Sequence, residues 1–262
     1  MSKIIAIFNQ KGGVGKTTTN VNLASSLGLL GEKILAVDID PQGNTTSGLG
    51  IDKQSLKRSI YNVLIDKIEV ETAIIQTPFK NLDLLPSTVE LAGAEIELTS
   101  SLQRELALKN SIIKIKDNYD YIFIDCPPSL GLLAINALAT ADSVLIPIQC
   151  EYYALEGVGM LMNTIQLVKR GLNPDLEIEG VVLSMFDGRN NLSIQVVEEV
   201  KKYFKGKVYT TLIPRNVRLA EAPSHGLPIM EYDEKSRGAE AYMELAEEFL
   251  EYQEDEEGDL FG

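Results

Sequence analysis

The sequence predicts an α/β protein built on a mostly parallel, twisted sheet with helices on both faces. Three observations carry this. Short, continuously apolar runs recur along the chain, which is how strands buried on both faces read. Stretches with helical spacing separate most of these runs, and strands alternating with helices make a parallel sheet. No internal repeat and no Pro/Gly/Ser-rich linker interrupts the rhythm, so residues 1–250 read as one domain and 251–262 as an acidic, disordered tail.

The elements follow in order. IIAIF (4–8) and ILAVD (34–38) bracket a helical pattern from Lys16 to Leu30, which Gly31 stops. Further strand-like runs lie at 82–86, 121–125, 143–148, 178–185 and 210–214. Helices are expected at 89–117, 152–171, 189–205 and 236–252. Ligands of such sheets bind beyond the carboxyl ends of the strands. Four stretches sit there, 9–18, 38–48, 125–132 and 214–224, and they can meet at one edge.

Composition narrows the function. The chain has 262 residues, a net charge of −14 and 45% hydrophobic residues, enough to fill a core but opposed to a uniformly cationic surface. No stretch is long and apolar enough to span a bilayer, and the start reads as a strand rather than a secretory leader. Cys126 and Cys150 are 24 residues apart with no C-x-x-C pattern, and His225 is the single histidine, so a cytoplasmic protein without a structural metal is expected. Charge is uneven. Residues 239–262 carry ten Asp or Glu and no Lys or Arg, whereas Phe186 to Arg218 holds seven Lys or Arg against three Asp or Glu, a local balance of +4.

The stretch NQKGGVGKTT, Asn9 to Thr18, leads from a strand into a helix, so backbone N–H groups and the helix N-terminus can cradle phosphates. Gly12, Gly13 and Gly15 permit the tight turn around Val14. Lys16 can reach terminal phosphates, Thr17 can ligate Mg²⁺, and Thr18 can bond the α-phosphate. The stretch departs from the plain P-loop pattern G-x-x-x-x-G-K-[ST] in having Gln10 where the first glycine belongs. Lys11 is also extra. Alone it reads as a solvated lysine; with a second copy packed on the loop it can neutralise charge on the partner's triphosphate, as an arginine finger does.

Two more strand ends carry carboxylates. After ILAVD, Asp40 precedes Pro41 and Gly43; D-P and Q-G-N also favour an ordinary turn, but the position after the strand that follows the P-loop helix favours a functional carboxylate. A carboxylate there can orient an attacking water or hold a Mg²⁺-bound one. YIFIDCPPSLG ends a strand at Asp125, the Walker B arrangement for holding Mg²⁺, usually through water.

KGGVGKTT resembles the deviant Walker A motif, K-G-G-x-G-K-[ST], of the ParA/MinD superfamily. GVGKTTTNVNLA, DPQGN, DCPPSLG and IPRNVRLAEAPSHG resemble its chromosome-partitioning ParA members over about residues 2–250. The resemblance implies a P-loop ATPase that binds ATP and Mg²⁺ and forms a nucleotide-sandwich homodimer with Lys11 acting in trans. It assigns Asp40 to switch I, with Asp38 behind it, and the turn after Asp125 to switch II. It also implies non-specific double-stranded DNA binding on the nucleoid, slow hydrolysis and a ParB-like activator. Arg189 and Arg218 match positions implicated in DNA binding, with Lys201, Lys202 and Lys205 as further candidates. Taken alone, those lysines form a solvated face outside a stripe of Val196, Val197, Val200 and Phe204, with a Glu198–Lys202 pair. Pro214 and Asn216 are assigned to adenine.

The alternative is a MinD-like ATPase positioning another cargo or a membrane-associated partner, which needs a basic amphipathic C-terminal helix. EEFLEYQEDEEGDLFG is the opposite in charge. The cysteine spacing opposes a cluster-carrying relative, and a P-loop at residue 9 leaves no room upstream for an operator-reading domain.

Overall fold

The computed structural model describes residues 2–151 and 154–261, with the backbone alone described for 154–156 and 256–261. Eight strands, β1 (Lys3–Ile7), β2 (Ile34–Asp38), β3 (Ile75–Gln76), β4 (Leu82–Leu85), β5 (Tyr121–Asp125), β6 (Ser143–Gln149), β7 (Glu177–Phe186) and β8 (Val208–Pro214), form one sheet in the order β3-β4-β2-β5-β1-β6-β7-β8. Every pairing is parallel except β3 with β4. The helices are α1 (Lys16–Leu30), α2 (Asn44–Gly48), α3 (Ile60–Leu64), α4 (Leu91–Glu97), α5 (Ala107–Ile112), α6 (Leu132–Thr140), α7 (Ala154–Gly171), α8 (Asn191–Tyr203), α9 (Val217–Glu221), α10 (Ile229–Tyr232) and α11 (Arg237–Phe261).

The central strands are apolar throughout because both their faces are covered. Along β1, Ile4 and Ala6 enter one core cluster and Ile5 and Ile7 the other. On β5, Ile122 and Ile124 divide from Phe123 in the same way. α1 lies against the second face, where Gly28 lets it approach the β3–β4 hairpin; a Cβ there would collide with the Lys80 carbonyl oxygen. α11 covers the same face. Its Phe249 is fully buried and meets Tyr121 edge-on at 5.0 Å.

Two expectations change, and a third falls partly outside the described residues. The helix expected over 89–117 is two short helices separated by 3₁₀ turns, because Ser101 is extended and Gln103 takes a left-handed φ of 57°. For the helix expected from 152, residues 152 and 153 lie outside the described residues, and α7 is described from Ala154. The end of the chain is not a free tail from 251: α11 continues to Phe261, while Gly262 lies outside the described residues. Tyr252 packs on Tyr209 at 5.2 Å, and the Gln253 amide bridges Lys3 (2.7 Å) and Glu179 (2.6 Å), so packing carries past the expected boundary at 250. β3, only two residues long, left no periodic signal.

Candidate nucleotide site

The four stretches that follow strand ends come together at the carboxyl edge of the sheet. Asn9, just past β1, is buried. Its amide donates to the Pro147 carbonyl (2.8 Å) and its carbonyl accepts the Lys11 N–H (3.0 Å), which turns the chain into the loop. The Gln10 amide donates to Thr164 Oγ1 on α7 at 2.8 Å. The residue that replaces the usual glycine therefore anchors the loop sideways. Gly13 and Gly15 have φ of 76° and 91°, left-handed conformations that an L side chain resists, and Gly15 leads directly into α1. A Cβ at Gly12 would meet nothing within 4 Å in this chain.

Lys16 is buried, and its ammonium has a single long bond, 3.4 Å to the Lys11 carbonyl. Burial lowers its pKa, against the attraction of Asp125 and Asp40. The Lys11 ammonium makes no ion pair among the described residues.

Asp38 and Asp125 are register partners at the tips of β2 and β5, and both are fully buried. Asp125 Oδ2 accepts from Thr17 Oγ1 and Thr45 Oγ1, both at 2.8 Å, while Oδ1 is buried with no partner. Burial is the main cause that pushes the Asp125 carboxyl up to about 6. Burial, then the neighbouring Asp125, raises Asp38 to about 7 against bonds from Thr46 and the Asp40 N–H. Asp38 Oδ2 takes both the N–H (2.8 Å) and hydroxyl (2.7 Å) of Thr46, so it braces the segment after β2 rather than facing a ligand. Asp40 is buried at 7% exposure, accepts the Gln42 N–H at 2.9 Å, and is held through its carbonyl by Ser87 Oγ (2.8 Å).

This donor set suits Mg²⁺ with a nucleoside triphosphate. An orphaned carboxylate oxygen lies beside a threonine hydroxyl, and a buried ammonium and open loop amides lie within the same few residues. Among the described residues no group of three His, Cys, Asp or Glu could hold a metal by itself, and magnesium typically completes its shell with phosphates and water. Thr17 and Asp125, with Asp40, would hold it.

A cavity of about 360 Å³ runs from Gly15 and Thr18 to β8 and α9, with Pro214, Asn216 and Tyr242 in its wall. The Asn216 carbonyl caps α9 through the Arg218 N–H (2.7 Å). Met185 lines the same cavity with a φ of 53°, rare for a side chain without a local hydrogen-bonding group. The sequence reading missed Met185, since strain of this kind has no sequence pattern. It also missed Thr45 and Asn20, whose amide donates to Thr45 Oγ1 at 3.0 Å. The two threonines after DPQGN were the available signal for Thr45.

The basic residues are placed elsewhere. On α8, Val196 and Val200 are buried, as is Phe204 just beyond it, and Val197 is half-buried, leaving Lys201, Lys202 and Lys205 exposed. Lys202 pairs with Glu199 at 2.6 Å, one residue nearer than the expected Glu198. Arg189 has a side chain 92% exposed and makes a two-pronged contact with Asp187, which draws the Asp187 carboxyl down to about 2. Arg218 pairs with Glu221 (2.9 Å) and Asp233 (3.3 Å). His225 stacks on Tyr232 at 4.9 Å, and Cys126 and Cys150 are buried free thiols pushed up by burial, in keeping with structural roles.

Known proteins are similar to this chain over most of its length. The AAA domain family matches residues 2–178. The chain is 62% identical over 248 residues to the sporulation initiation inhibitor protein Soj of Bacillus subtilis, spanning 95% of this chain and 98% of that one. It is 53% identical over 250 residues to the chromosome partitioning protein ParA of Myxococcus xanthus, spanning 95% and 88%. Among solved structures, cobyrinic acid a,c-diamide synthase from Mycobacterium smegmatis, with bound ADP and magnesium, superposes with a TM-score of 0.85 at 37% identity over 97% of this chain and 96% of that one.

Proposed function

This chain belongs to the ParA/MinD superfamily of P-loop ATPases, in its Soj/ParA chromosome-partitioning branch, and from that membership we propose an ATP-gated cycle of dimerisation and DNA binding. The protein uses ATP and Mg²⁺. The loop amides and Lys16 bind the phosphates, Thr17 and Asp125 would hold Mg²⁺, which would supply positive charge against the phosphate oxygens, and Asp40 orients the attacking water. Water adds to the γ-phosphorus, the bond to the β-phosphate oxygen breaks, and ADP and phosphate leave. Pro214 and Asn216 flank the adenine.

One observation carries the dimer. Among the described residues the Lys11 ammonium has no ion-pair partner, although its loop is otherwise bonded on both sides, and it stands next to a Gly12 for which these residues supply no steric reason. A second copy supplies both reasons: close approach of two loops, and a triphosphate for Lys11 to neutralise. The ATP dimer then doubles the basic stretch, and Arg189, Arg218, Lys201, Lys202 and Lys205 contact the phosphates of non-specific double-stranded DNA. Hydrolysis is slow until a ParB-like activator arrives, so the dimer persists on the nucleoid within the cytoplasm. The acidic end of α11 repels an anionic bilayer, and among the described residues no helix is long and apolar enough to cross one.

Light scattering and DNA binding with ATP and with ADP test this, using Asp40→Ala to block hydrolysis. ATP is expected to give a dimer that binds a random duplex, Lys11→Ala a monomer, and Arg189→Glu a dimer that no longer binds DNA. A dimer that ignores DNA at low salt would reject the DNA output while leaving the ATPase intact.

A further inference from the structure

The loop between Asp125 and α6 carries switch II, and its far end is held by a group outside the nucleotide site. Gly131 is the N-cap of α6, with extended backbone (φ −96°, ψ −174°) and no side chain to satisfy the free N–H groups of the first turn. α4 supplies one. Glu95, half-buried on α4, places its carboxylate over this helix start, and Oε1 accepts the Leu133 N–H at 3.4 Å. A carboxylate at a helix N-terminus also complements the dipole. Gly131 makes room for it: a Cβ would lie 2.9 Å from Glu95 Cδ and collide with Oε1. The rest of the same segment is clamped to α6 separately, since the Asn136 amide donates to the Arg104 carbonyl (2.8 Å) and its carbonyl accepts the Leu108 N–H (3.1 Å).

We propose that Glu95 is a positioning residue for ATP hydrolysis, capping α6 from a neighbouring helix and so fixing the loop that runs from Asp125. The other end of that loop is set by β5, whose last residue is Asp125 itself, and by the Cys126 N–H, which donates to the Ile7 carbonyl at 3.3 Å. With both ends fixed, the loop keeps one course next to Asp125, whose Oδ2 is held by Thr17 and Thr45 and whose Oδ1 is buried without a hydrogen-bond partner among the described residues. Glu95 touches neither the phosphate loop nor the adenine cavity, so it acts on the chemical step and not on nucleotide binding. This rests on hydrolysis at the Asp125 site and on no assumption about dimer, DNA or activator.

Gly131→Ala gives a direct test, because the new methyl group meets the end of a flexible side chain and moves Glu95 aside at little cost to the fold. Single-turnover hydrolysis and ATP affinity would be measured for the wild type, Glu95→Ala, Glu95→Gln, Gly131→Ala and the Glu95→Ala/Gly131→Ala double variant. Loss of a helix cap leads to an expected fall in kcat of about fivefold in Glu95→Ala and in Gly131→Ala, with KM unchanged. The double variant should match either single one, since both remove the same contact. Glu95→Gln, which keeps an acceptor, should stay within about twofold of wild type. A lower melting temperature with unchanged kcat would overturn the proposal, as would a raised kcat or additive losses in the double variant. If the wild type itself does not hydrolyse ATP, the assignment of the site fails instead.

Discussion

At the mouth of β1, among the described residues, Lys16 is buried with one long bond to a carbonyl, and Asp125 keeps a buried oxygen without a partner. Around α8 and α9, Arg189 and Arg218 stand largely in solvent, each already paired with carboxylates of its own chain. The first region stores unmet electrostatic need in a low-dielectric place, so the right ligand gains strongly by meeting it. The two arginines of the second region already have carboxylate partners. A DNA phosphate has to displace Asp187 or Glu221 from contacts that already satisfy the guanidinium groups, and salt competes with that exchange. Arg218 and Arg215 pair with Glu221, Asp233 and Glu151, which lie outside the +4 stretch, so the stretch is less cationic in space than its count suggests. The same residue chemistry gives a tight site in one place and a weak, reversible one in the other.

The contrast can be broken most severely in the cradle. Lys16→Ala should lower ATP affinity by about a hundredfold or more, read by calorimetry, because a charge-assisted contact in a buried site is lost. Asp125→Asn should bind nucleotide yet lose magnesium-dependent hydrolysis by about a hundredfold, and a magnesium titration that matched wild type would contradict the assignment.

The buried carboxylates also predict a pH effect. Folded values of about 7 for Asp38 and about 6 for Asp125, against 3.8 when free, mean that the native state binds more protons than the unfolded state across that window. Stability from these two groups is therefore greatest below about pH 4 and is lost as pH rises through the folded values. Other groups titrate too, so the comparison between variants is the informative one. Between pH 5 and pH 8 the melting temperature of nucleotide-free wild type should fall by about 3 °C more than that of Asp38→Asn. Equal slopes would mean that Asp38 is ionised throughout.

The basic stretch should respond more gently. Arg189→Ala is expected to weaken binding to a random duplex by about tenfold at low salt and to flatten the salt dependence. The sharpest form of the comparison removes the competitor instead. Asp187→Asn should strengthen DNA binding by about threefold, since Arg189 no longer has to leave a carboxylate. Smallest of all, Glu199→Gln should leave the melting temperature within about 1 °C of wild type, because the Lys202–Glu199 pair is exposed. No gain in DNA affinity from Asp187→Asn would show that Arg189 does not meet DNA.

Much of the site was legible because its signals are local. The glycine-rich turn, Lys16, Thr17, Asp40 and Asp125 all sit at fixed offsets from strand ends, where short-range geometry dictates residue type. Other features were misread or invisible. The pattern over 89–117 is periodic enough for one helix, and nothing in it announces the left-handed Gln103. The helix expected over 236–252 is present, but the dense charge beyond 250 read as a solvated tail, although Tyr252 and Gln253 still pack on the body of the protein.

By itself the sequence determined the α/β class, the nucleotide loop and the two strand-end carboxylates, since backbone conformation and alternating burial are written over a few consecutive residues. Only the tertiary structure decided that Gln10 reaches Thr164, that Glu95 caps a helix across Gly131, that Met185 is strained beside the cavity, and that Arg189 and Arg218 are already paired. Some of these contacts join residues 38 to 154 positions apart, and the rest depend on rotamer and backbone choices made once packing is complete.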